Sequence, residues 1–369
     1  MSHKVSSCEV IVVGGGVIGA ACARAAALRG GGLRVVLCEP GPDPAAASPA
    51  SAGMLAAQIE PADDALRGLA VRGRDLYETL APALLETTGL DIGFWRAGIA
   101  SVAFGDAAAQ HLRDAVAEQR QAGLRCDWLE PEDLLERFPG AAPQARGALF
   151  APEDGAVDPP ALTRALLADA RRLGVTVVPE RVARVVTDAA TGRVTGVALA
   201  NGTIAAEHVV IAAGAWSAHV GGVGRTPPVE PVRGQMAAAP WPSGTPPAIL
   251  YCDHGYVLAR GNEALMGSTM ERVGFDSRVT TAGIAEIVKG AARLLPSLTR
   301  PTRTWAGLRP VTPDGRPIVG PDSETRGLWY ATGHGRNGIL LAALTGEIIG
   351  DLLANAATDL DIASLSPAR

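Results

Sequence analysis

A glycine-rich turn between two apolar strands constrains the fold of this chain more than any other feature. Residues 8–13 are apolar and β-branched, which is typical of a buried parallel strand. They lead into residues 14–19 (GGGVIG), and the alanine-rich segment 20–29 that follows is predicted to be a helix. A second apolar run, residues 35–38, ends at Glu39, 20 residues after the last glycine of the turn. This order of strand, turn, helix and strand predicts a dinucleotide-binding unit.

Each glycine of the turn has its own physical task in such a unit. Gly14 permits the tight turn, Gly16 lets the backbone approach a pyrophosphate, and Gly19 lets helix and strand pack closely. The helix N-terminus offers free N–H groups and a positive dipole end to phosphates, while Glu39 offers two acceptor oxygens to ribose hydroxyls. A carboxylate would repel a 2′-phosphate, so NADP is disfavoured. The pattern predicts a Rossmann-type α/β fold but does not separate NAD from FAD, and a flexible turn without a ligand is the alternative.

Composition and charge exclude several other classes of protein. At 369 residues the chain exceeds the size at which one hydrophobic core keeps growing, so two intertwined domains are expected. The net charge is −5 with no long run of Lys or Arg, which predicts neither a nucleic-acid partner nor a membrane patch. Five scattered cysteines indicate reduced thiols and no metal site. No apolar stretch reaches transmembrane length, so we expect a soluble, cytoplasmic protein.

The rest of the chain alternates short strands with amphipathic helices. Helical spacing predicts helices at residues 65–88, 107–122, 162–173, 284–295 and 339–353. Pro82 is expected to kink or end the first of these helices. Apolar and alternating runs predict strands at residues 182–187, 194–200, 203–205, 209–213, 249–259 and 264–269.

Six segments, spread along almost the whole chain, resemble the motifs of one known family in their expected order: residues 51–55 (SAGML), 213–217 (AGAWS), 251–256 (YCDHGY), 305–310 (WAGLRP), 312–320 (TPDGRPIVG) and 332–342 (TGHGRNGILLA). That family is the D-amino-acid oxidase family of FAD-dependent oxidoreductases. Within it, the segments most resemble the glycine oxidases of thiamine biosynthesis. Covalent-flavin relatives attach the cofactor through a cysteine in the segment 300–340, and none is present here. The resemblance therefore implies noncovalent FAD.

The resemblance also implies how the chain divides into domains. An FAD-binding domain of Rossmann type is expected from three separate segments, residues 1–90, 145–222 and 300–369. An interleaved substrate-binding domain of α+β type, with an antiparallel sheet, is expected from residues 91–144 and 223–299. The cofactor would lie extended between the two.

The residues expected to bind FAD combine the glycine turn with the family motifs. Three glycines within residues 333–338 would let the backbone press against a flat ring, and the helix after them would direct its N–H groups at the flavin. Met54 would lie near the reacting face of the flavin, with core filler as its alternative. The full expected set is Gly14, Gly16, Val17, Ile18, Gly19, Glu39, Pro40, Ser51, Ala52, Gly53, Met54, Val182, Ala213, Gly214, Trp216, Gly307, Gly333, His334, Gly335, Arg336, Asn337, Gly338 and Ile339.

Three residues are expected to hold the substrate. Arg309 resembles the family's carboxylate anchor, because a guanidinium binds a carboxylate through two parallel bonds; a surface salt bridge is the alternative. Tyr256 would donate its hydroxyl to the same carboxylate, unless it is an ordinary core tyrosine. Arg336 resembles a pocket arginine that orients the substrate or flanks the flavin. Tyr251 has a weaker claim, and His254 is either near the pocket or simply part of a turn.

The resemblance implies oxidation of the C–N bond of a small amino acid. Glycine is the expected substrate, with sarcosine and small D-amino acids beside it. The α-hydrogen would pass as hydride to flavin N5, O2 would accept the electrons as H2O2, and the imine would hydrolyse to glyoxylate and ammonia. Gly335 stands where many glycine oxidases carry a larger residue, which leaves the substrate open. The alternatives are a dehydrogenase that passes electrons to a quinone or carrier, and a flavin-binding subunit or redox sensor without catalysis; a homo-oligomer is compatible with either.

Overall fold

The computed structural model describes residues 5–29, 31–60, 63–298, 300–356 and 360–369. Its strands are β1 (Val10–Val13), β2 (Val35–Cys38), β3 (Met54–Leu55), β4 (Ile99–Val102), β5 (Asp127–Leu129), β6 (Ala148–Ala151), β7 (Gly155–Ala156), β8 (Thr176–Val178), β9 (Val182–Thr187), β10 (Val194–Leu199), β11 (Gly202–Ala205), β12 (His208–Ile211), β13 (Glu230–Pro240), β14 (Ile249–Cys252), β15 (Gly255–Arg260), β16 (Glu263–Gly267), β17 (Arg303–Val311), β18 (Ile318–Pro321) and β19 (Leu328–Thr332). Its α-helices are α1 (Val17–Arg29), α2 (Ala47–Ala50), α3 (Asp64–Asp75), α4 (Tyr77–Thr88), α5 (Asp106–Gln121), α6 (Pro131–Arg137), α7 (Pro159–Arg172), α8 (Thr281–Leu294) and α9 (Ala342–Leu353).

The first sheet is the Rossmann-type sheet that the glycine turn predicts. Six strands follow the order β18-β19-β12-β1-β2-β8, and all neighbours are parallel except β18 with β19. β1 lies between β12 and β2, and its residues are buried because both faces of the sheet are covered. The α/β fold class expected from the sequence is therefore confirmed.

Helices α1 and α9 pack against each other through small residues. A Cβ atom added at Gly346 would lie 2.8 Å from the backbone oxygen of Ala21, and one at Gly350 would lie 3.0 Å from the Cβ of Ala25. The two helices can approach this closely because neither carries a large side chain at the contact. The alanine-rich composition of α1 thus has a packing cause.

The second sheet is larger than the first and mostly antiparallel. Eight strands follow the order β17-β13-β16-β15-β14-β4-β6-β5, antiparallel except for the parallel pair β4 and β14. The long strands β13 and β17 pair so that Gly234 faces Gly307 and Val232 faces Arg309. The hairpin of β14 and β15 sets Tyr251 opposite Tyr256. The antiparallel substrate-side sheet is thus present, while β6 and β17, which the proposed domain division assigns to the FAD-binding part, pair within it.

Four details of secondary structure differ from the sequence prediction. The strand expected over 249–259 is the hairpin of β14 and β15, with a turn at Asp253 and His254. The helix expected over 65–88 is two helices, separated at Leu76, which keeps near-helical angles of φ −58° and ψ −24°. Pro82 lies inside α4 rather than ending it, although a proline removes one helical hydrogen bond and its ring crowds the preceding turn. The last helix begins at Ala342 rather than 339, after a separate 3₁₀ turn at Gly335–Asn337. Among the described residues, no helix has the length and apolar character needed to cross a bilayer.

Candidate active site

Residues from both sheets line one cavity of about 770 Å³. Most of the residues singled out from the sequence contribute to its wall: Gly14, Gly16, Val17, Ile18, Glu39, Pro40, Ser51, Ala52, Gly53, Met54, Val182, Ala213, Gly214, Trp216, Tyr256, Gly307, Arg309, His334, Gly335, Arg336, Gly338 and Ile339. The structure thus brings together the turn after β1, the segment after α2, the hairpin of β14 and β15, and the turn after β19. Gly19, Gly333 and Asn337 lie outside the lining.

The glycine turn after β1 is shaped by close backbone contacts. Gly14 has φ +102°, and a Cβ atom there would lie 2.6 Å from the backbone oxygen of Ala212. At Gly19 a Cβ atom would lie 1.8 Å from the backbone oxygen of Gly14, so Gly19 serves helix packing rather than the cavity wall. The backbone N–H of Val17 donates to the Ser48 hydroxyl at 3.0 Å, which caps the start of α1. Ser48 was not anticipated from the sequence.

The Glu39 side chain is held by backbone N–H groups of the glycine turn and of its own loop. One carboxylate oxygen accepts from the backbone N–H of Gly15 at 2.5 Å, and the other accepts from that of Gly41 at 3.0 Å. A carboxylate has about four acceptor sites, so capacity remains for hydroxyl groups of a ligand. Glu39 therefore stabilises the turn in addition to the ribose contact expected for it.

The turn after β19 carries two buried polar atoms that no described residue satisfies. His334 is buried, and its Nε2 lies 2.9 Å from the Thr345 hydroxyl, while its Nδ1 has no partner. The Oδ1 of Asn337 is likewise buried without a partner. Burial lowers the pKa of His334 to about 3, so the imidazole is neutral. The sequence predicted only a backbone role for His334, but the Nδ1 atom of its ring is also free to form a hydrogen bond with a ligand.

The two other glycines of this turn differ from each other. A Cβ atom at Gly333, which has φ +74°, would lie 2.5 Å from Cγ2 of Thr312, so this position is needed for packing. Gly335 has φ +54° with open space around its added Cβ. The open space beside Gly335 is consistent with the wide pocket rim that a small residue at this position implies.

Arg309 presents its guanidinium to the cavity from β17. Its Nη2 donates to the Ser268 hydroxyl at 2.7 Å, and its Nη1 donates to the backbone oxygen of Thr269 at 3.1 Å. A guanidinium has five N–H donors, so three remain for a ligand. Gly234 makes room for the group, because a Cβ atom there would lie 1.8 Å from Nη1. Burial lowers the pKa of Arg309, but from so high an ordinary value that the group stays charged.

Tyr256 lies beside Arg309 on the hairpin of β14 and β15. It is 8% exposed, lines the cavity, and its hydroxyl lies 3.2 Å from the sulfur of Met236. Burial raises the pKa of Tyr256 to about 12, although Arg309 opposes the shift, so the hydroxyl remains a donor at neutral pH. The ring of Tyr251 lies nearly parallel to the ring of Tyr256, with 6.4 Å between the two ring centroids. His254 also lines the cavity, with 56% of its side chain exposed.

Arg336 and Glu60 place opposite charges in the same wall. The charge of Glu60 is the main cause that raises the pKa of Arg336, with Tyr251 adding to it. Burial raises the pKa of Glu60, and Arg336 and Arg309 lower it. Glu60 was not anticipated from the sequence, because it lies in a loop after β3 without a recognisable motif.

The cavity fits an extended flavin dinucleotide. Its wall runs from Glu39 and Val182 to Arg309, and its volume is in the range of cofactor sites. Gly14 and Gly16 leave a cradle without side chains at the start of α1, where phosphates are favoured. The unpartnered Nδ1 of His334 provides a polar contact near the other end. The described residues contain no cluster of His, Cys, Asp or Glu suited to a metal ion.

Comparison with known proteins agrees with this geometry. Residues 9–352 match the family described as FAD dependent oxidoreductase (DAO). The chain is 37% identical to the glycine oxidase of Geobacillus kaustophilus over 100% of its own length and 98% of that protein. The crystal structure of the Geobacillus enzyme matches with a TM-score of 0.91, covering 99% of both chains.

Two further relatives carry other names. The chain is 36% identical to the bifunctional protein ThiO/ThiG of Trichormus variabilis, over 95% of its own length but 53% of that protein. It is 34% identical to the hydrogen cyanide synthase subunit HcnC of Pseudomonas aeruginosa, over 98% of its own length and 96% of that protein. On these matches and on the site above, the chain belongs to the DAO family of FAD-dependent oxidoreductases, as an enzyme that oxidises amino acids.

Proposed function

We propose that the chain oxidises the C–N bond of glycine, and of sarcosine or small D-amino acids beside it, with O2 as the final electron acceptor. With glycine, the imine product hydrolyses to glyoxylate and ammonia, and O2 leaves as H2O2. When held by the glycine turn after β1 and the turn after β19, FAD would supply the two-electron acceptor for hydride from the α-carbon. The chain's own residues bind and orient the substrate.

The observation that carries the proposal is the free side of the Arg309 guanidinium. Two of its donors are used by Ser268 and Thr269, which fixes the plane of the group, and the remaining donors are available in the cavity. A carboxylate bound through two parallel bonds would have its orientation fixed as well as its position. The Tyr256 hydroxyl, protonated and in the same wall, supplies a further donor when its proton turns from the Met236 sulfur to the ligand.

The surroundings of the anchor favour a small substrate. Met54, Met236 and Tyr251 line the cavity together with Arg309 and are bulky. Met54, Met236 and Tyr251 pack in one cluster with Tyr256, and this cluster would enclose the α-carbon of a carboxylate held at Arg309. Positioning of the reacting carbon, rather than acid–base chemistry, is the contribution that these residues make.

Anaerobic reduction of the bound flavin by glycine, sarcosine, D-alanine and D-proline tests the proposal directly. We expect glycine or sarcosine to bleach the flavin, and Arg309→Ala to abolish the bleaching while FAD absorbance survives. Arg303→Ala is the matched control, because Arg303 lies on the same strand, is 52% exposed and pairs with Glu263. Failure of all four substrates would contradict the proposal, and full activity in Arg309→Ala would remove the anchor.

The electron acceptor and the final product need separate measurements. Mixing the reduced enzyme with O2 in a stopped-flow instrument distinguishes an oxidase, which reoxidises rapidly, from a dehydrogenase, which reoxidises slowly. The similarity to a hydrogen cyanide synthase subunit favours a second candidate, in which the imine gives up two more electrons to the reoxidised flavin and loses its carboxyl group as CO2, leaving hydrogen cyanide. Assays of glyoxylate and of cyanide in the same reaction separate the two outcomes.

A further inference from the structure

Glu60 is a carboxylate in the cavity wall that no hydrogen bond or ion pair with a described residue holds. It lies in the loop that follows β3, is partly buried, and lines the cavity together with Arg309, Arg336 and Tyr251. A carboxylate on the protein surface is hydrogen-bonded to water, and a buried carboxylate with a structural role accepts hydrogen bonds from neighbouring protein groups. Glu60 is partly buried and accepts none from a described residue. A carboxylate in this position is available to a ligand.

The charges in this part of the cavity influence one another. Among the described residues, Glu60 is the carboxylate whose charge favours the protonated forms of both Arg336 and Arg309. Burial raises the pKa of Glu60 overall, and the two guanidiniums oppose this shift by favouring the charged carboxylate. Two positive groups and one negative group leave a single positive charge in excess, which matches a ligand with one carboxylate.

We propose that Glu60 determines substrate specificity by cancelling the charge of Arg336, so that the pocket accepts amines with one carboxylate and rejects those with two. This inference rests on the proposed function, in which Arg309 binds the first carboxylate. A second carboxylate on the substrate would find Arg336 as its remaining cationic partner in this wall and would meet the like charge of Glu60 there. Specificity of this kind comes from a repulsive element built against the wrong ligand.

The variant Glu60→Gln tests the inference because it removes the charge and keeps the shape. Sarcosine and iminodiacetate are suitable substrates, since both are secondary amines and differ by one carboxylate. We expect the ratio of kcat/KM for iminodiacetate to that for sarcosine to rise at least about tenfold in Glu60→Gln, as an unfavourable charge pair in a partly buried site is removed. Glu286→Gln is the matched control, an exposed carboxylate at the cavity wall, and should keep the ratio within about twofold.

Glu60→Asp provides a check on folding and on the role of charge. It keeps the carboxylate, so we expect it to retain the preference for sarcosine. All variants should retain FAD and their melting temperature. An unchanged ratio in a folded, FAD-containing Glu60→Gln protein would overturn the inference, as would the same rise in Glu60→Asp.

Ligand binding separates this inference from the proposed function. Acetate and malonate differ by one carboxylate, and their dissociation constants follow from the change in absorbance of the oxidised enzyme. We expect Glu60→Gln to strengthen malonate binding relative to acetate at least about tenfold. A wild-type enzyme that oxidises no amine contradicts the proposed function alone, whereas equal malonate and acetate responses in wild type and variant contradict the role of Glu60 alone.

Discussion

Replacing Gly234 with alanine should disable the substrate anchor without unfolding the protein. The added Cβ atom would lie 1.8 Å from Nη1, 2.3 Å from Cζ and 2.5 Å from Nη2 of Arg309. Non-bonded atoms approach to about 3.5 Å, so the guanidinium has to move by roughly 1.5 Å. That movement breaks its bonds to Ser268 and Thr269. The group that moves is the end of a flexible side chain, and the strand itself tolerates alanine.

The expected result is a loss of catalytic efficiency alone. A misplacement of about 1 Å costs on the order of 100-fold in rate, so kcat/KM for glycine or sarcosine should fall by about that factor or more. FAD content and melting temperature should stay close to the wild-type values. Gly68→Ala is the control, because Gly68 lies exposed in α3 with open space around its added Cβ. Wild-type kcat/KM in Gly234→Ala would refute the assignment of Arg309 as the anchor held by this contact.

Two further predictions concern the fold around the cofactor. Gly19→Ala places a Cβ atom 1.8 Å from the backbone oxygen of Gly14, which cannot rotate away. We expect the free energy of unfolding, measured by urea denaturation, to fall by about 1–3 kcal/mol, and FAD binding, measured by titration, to weaken. Normal FAD affinity would contradict this prediction. Asp154 is fully buried beside Arg74 and the backbone N–H of Gln58, and burial raises its pKa to about 7 from an ordinary 3.8. Between pH of about 4 and 7 the folded state therefore holds a proton that the unfolded state releases, so this group makes the free energy of unfolding fall by about 1.4 kcal/mol per pH unit as the pH rises. Urea denaturation of wild type and Asp154→Asn across this range should show the fall only in the wild type, and parallel curves would refute it.

The sequence was most informative where a backbone motif and a side-chain role coincide. The turn from Gly14 to Gly19 could be interpreted because strand, turn and helix are contiguous, so that local geometry dictates where glycine is needed. The cofactor and the family could be predicted because six segments resemble the motifs of the D-amino-acid oxidase family in their expected order. Arg309 was recognisable only by its motif, since an arginine in a strand has no distinctive spacing of its own.

The parts that the sequence did not predict depend on contacts between distant segments. Gly234 is important because the register of β13 with β17 brings it against a side chain 75 residues later. Glu60 has no motif, and its significance arises from two arginines more than 200 residues away. The retention of Pro82 inside α4 depends on tertiary packing, since α4 buries Tyr77 and Leu84 in the core and this burial outweighs local propensity.

The close contact of α1 with α9 connects two walls of the dinucleotide site. The first helix starts at the phosphate cradle, and the second follows the turn that carries His334, so Gly346 and Gly350 determine how far apart these ends stand. Because these two glycines allow the helices to pack in backbone contact, they fix the spacing between the glycine turn and the turn that carries His334, although neither glycine lines the cavity. A side chain at either position would push α1 and α9 apart and change the spacing between these two walls of the cavity.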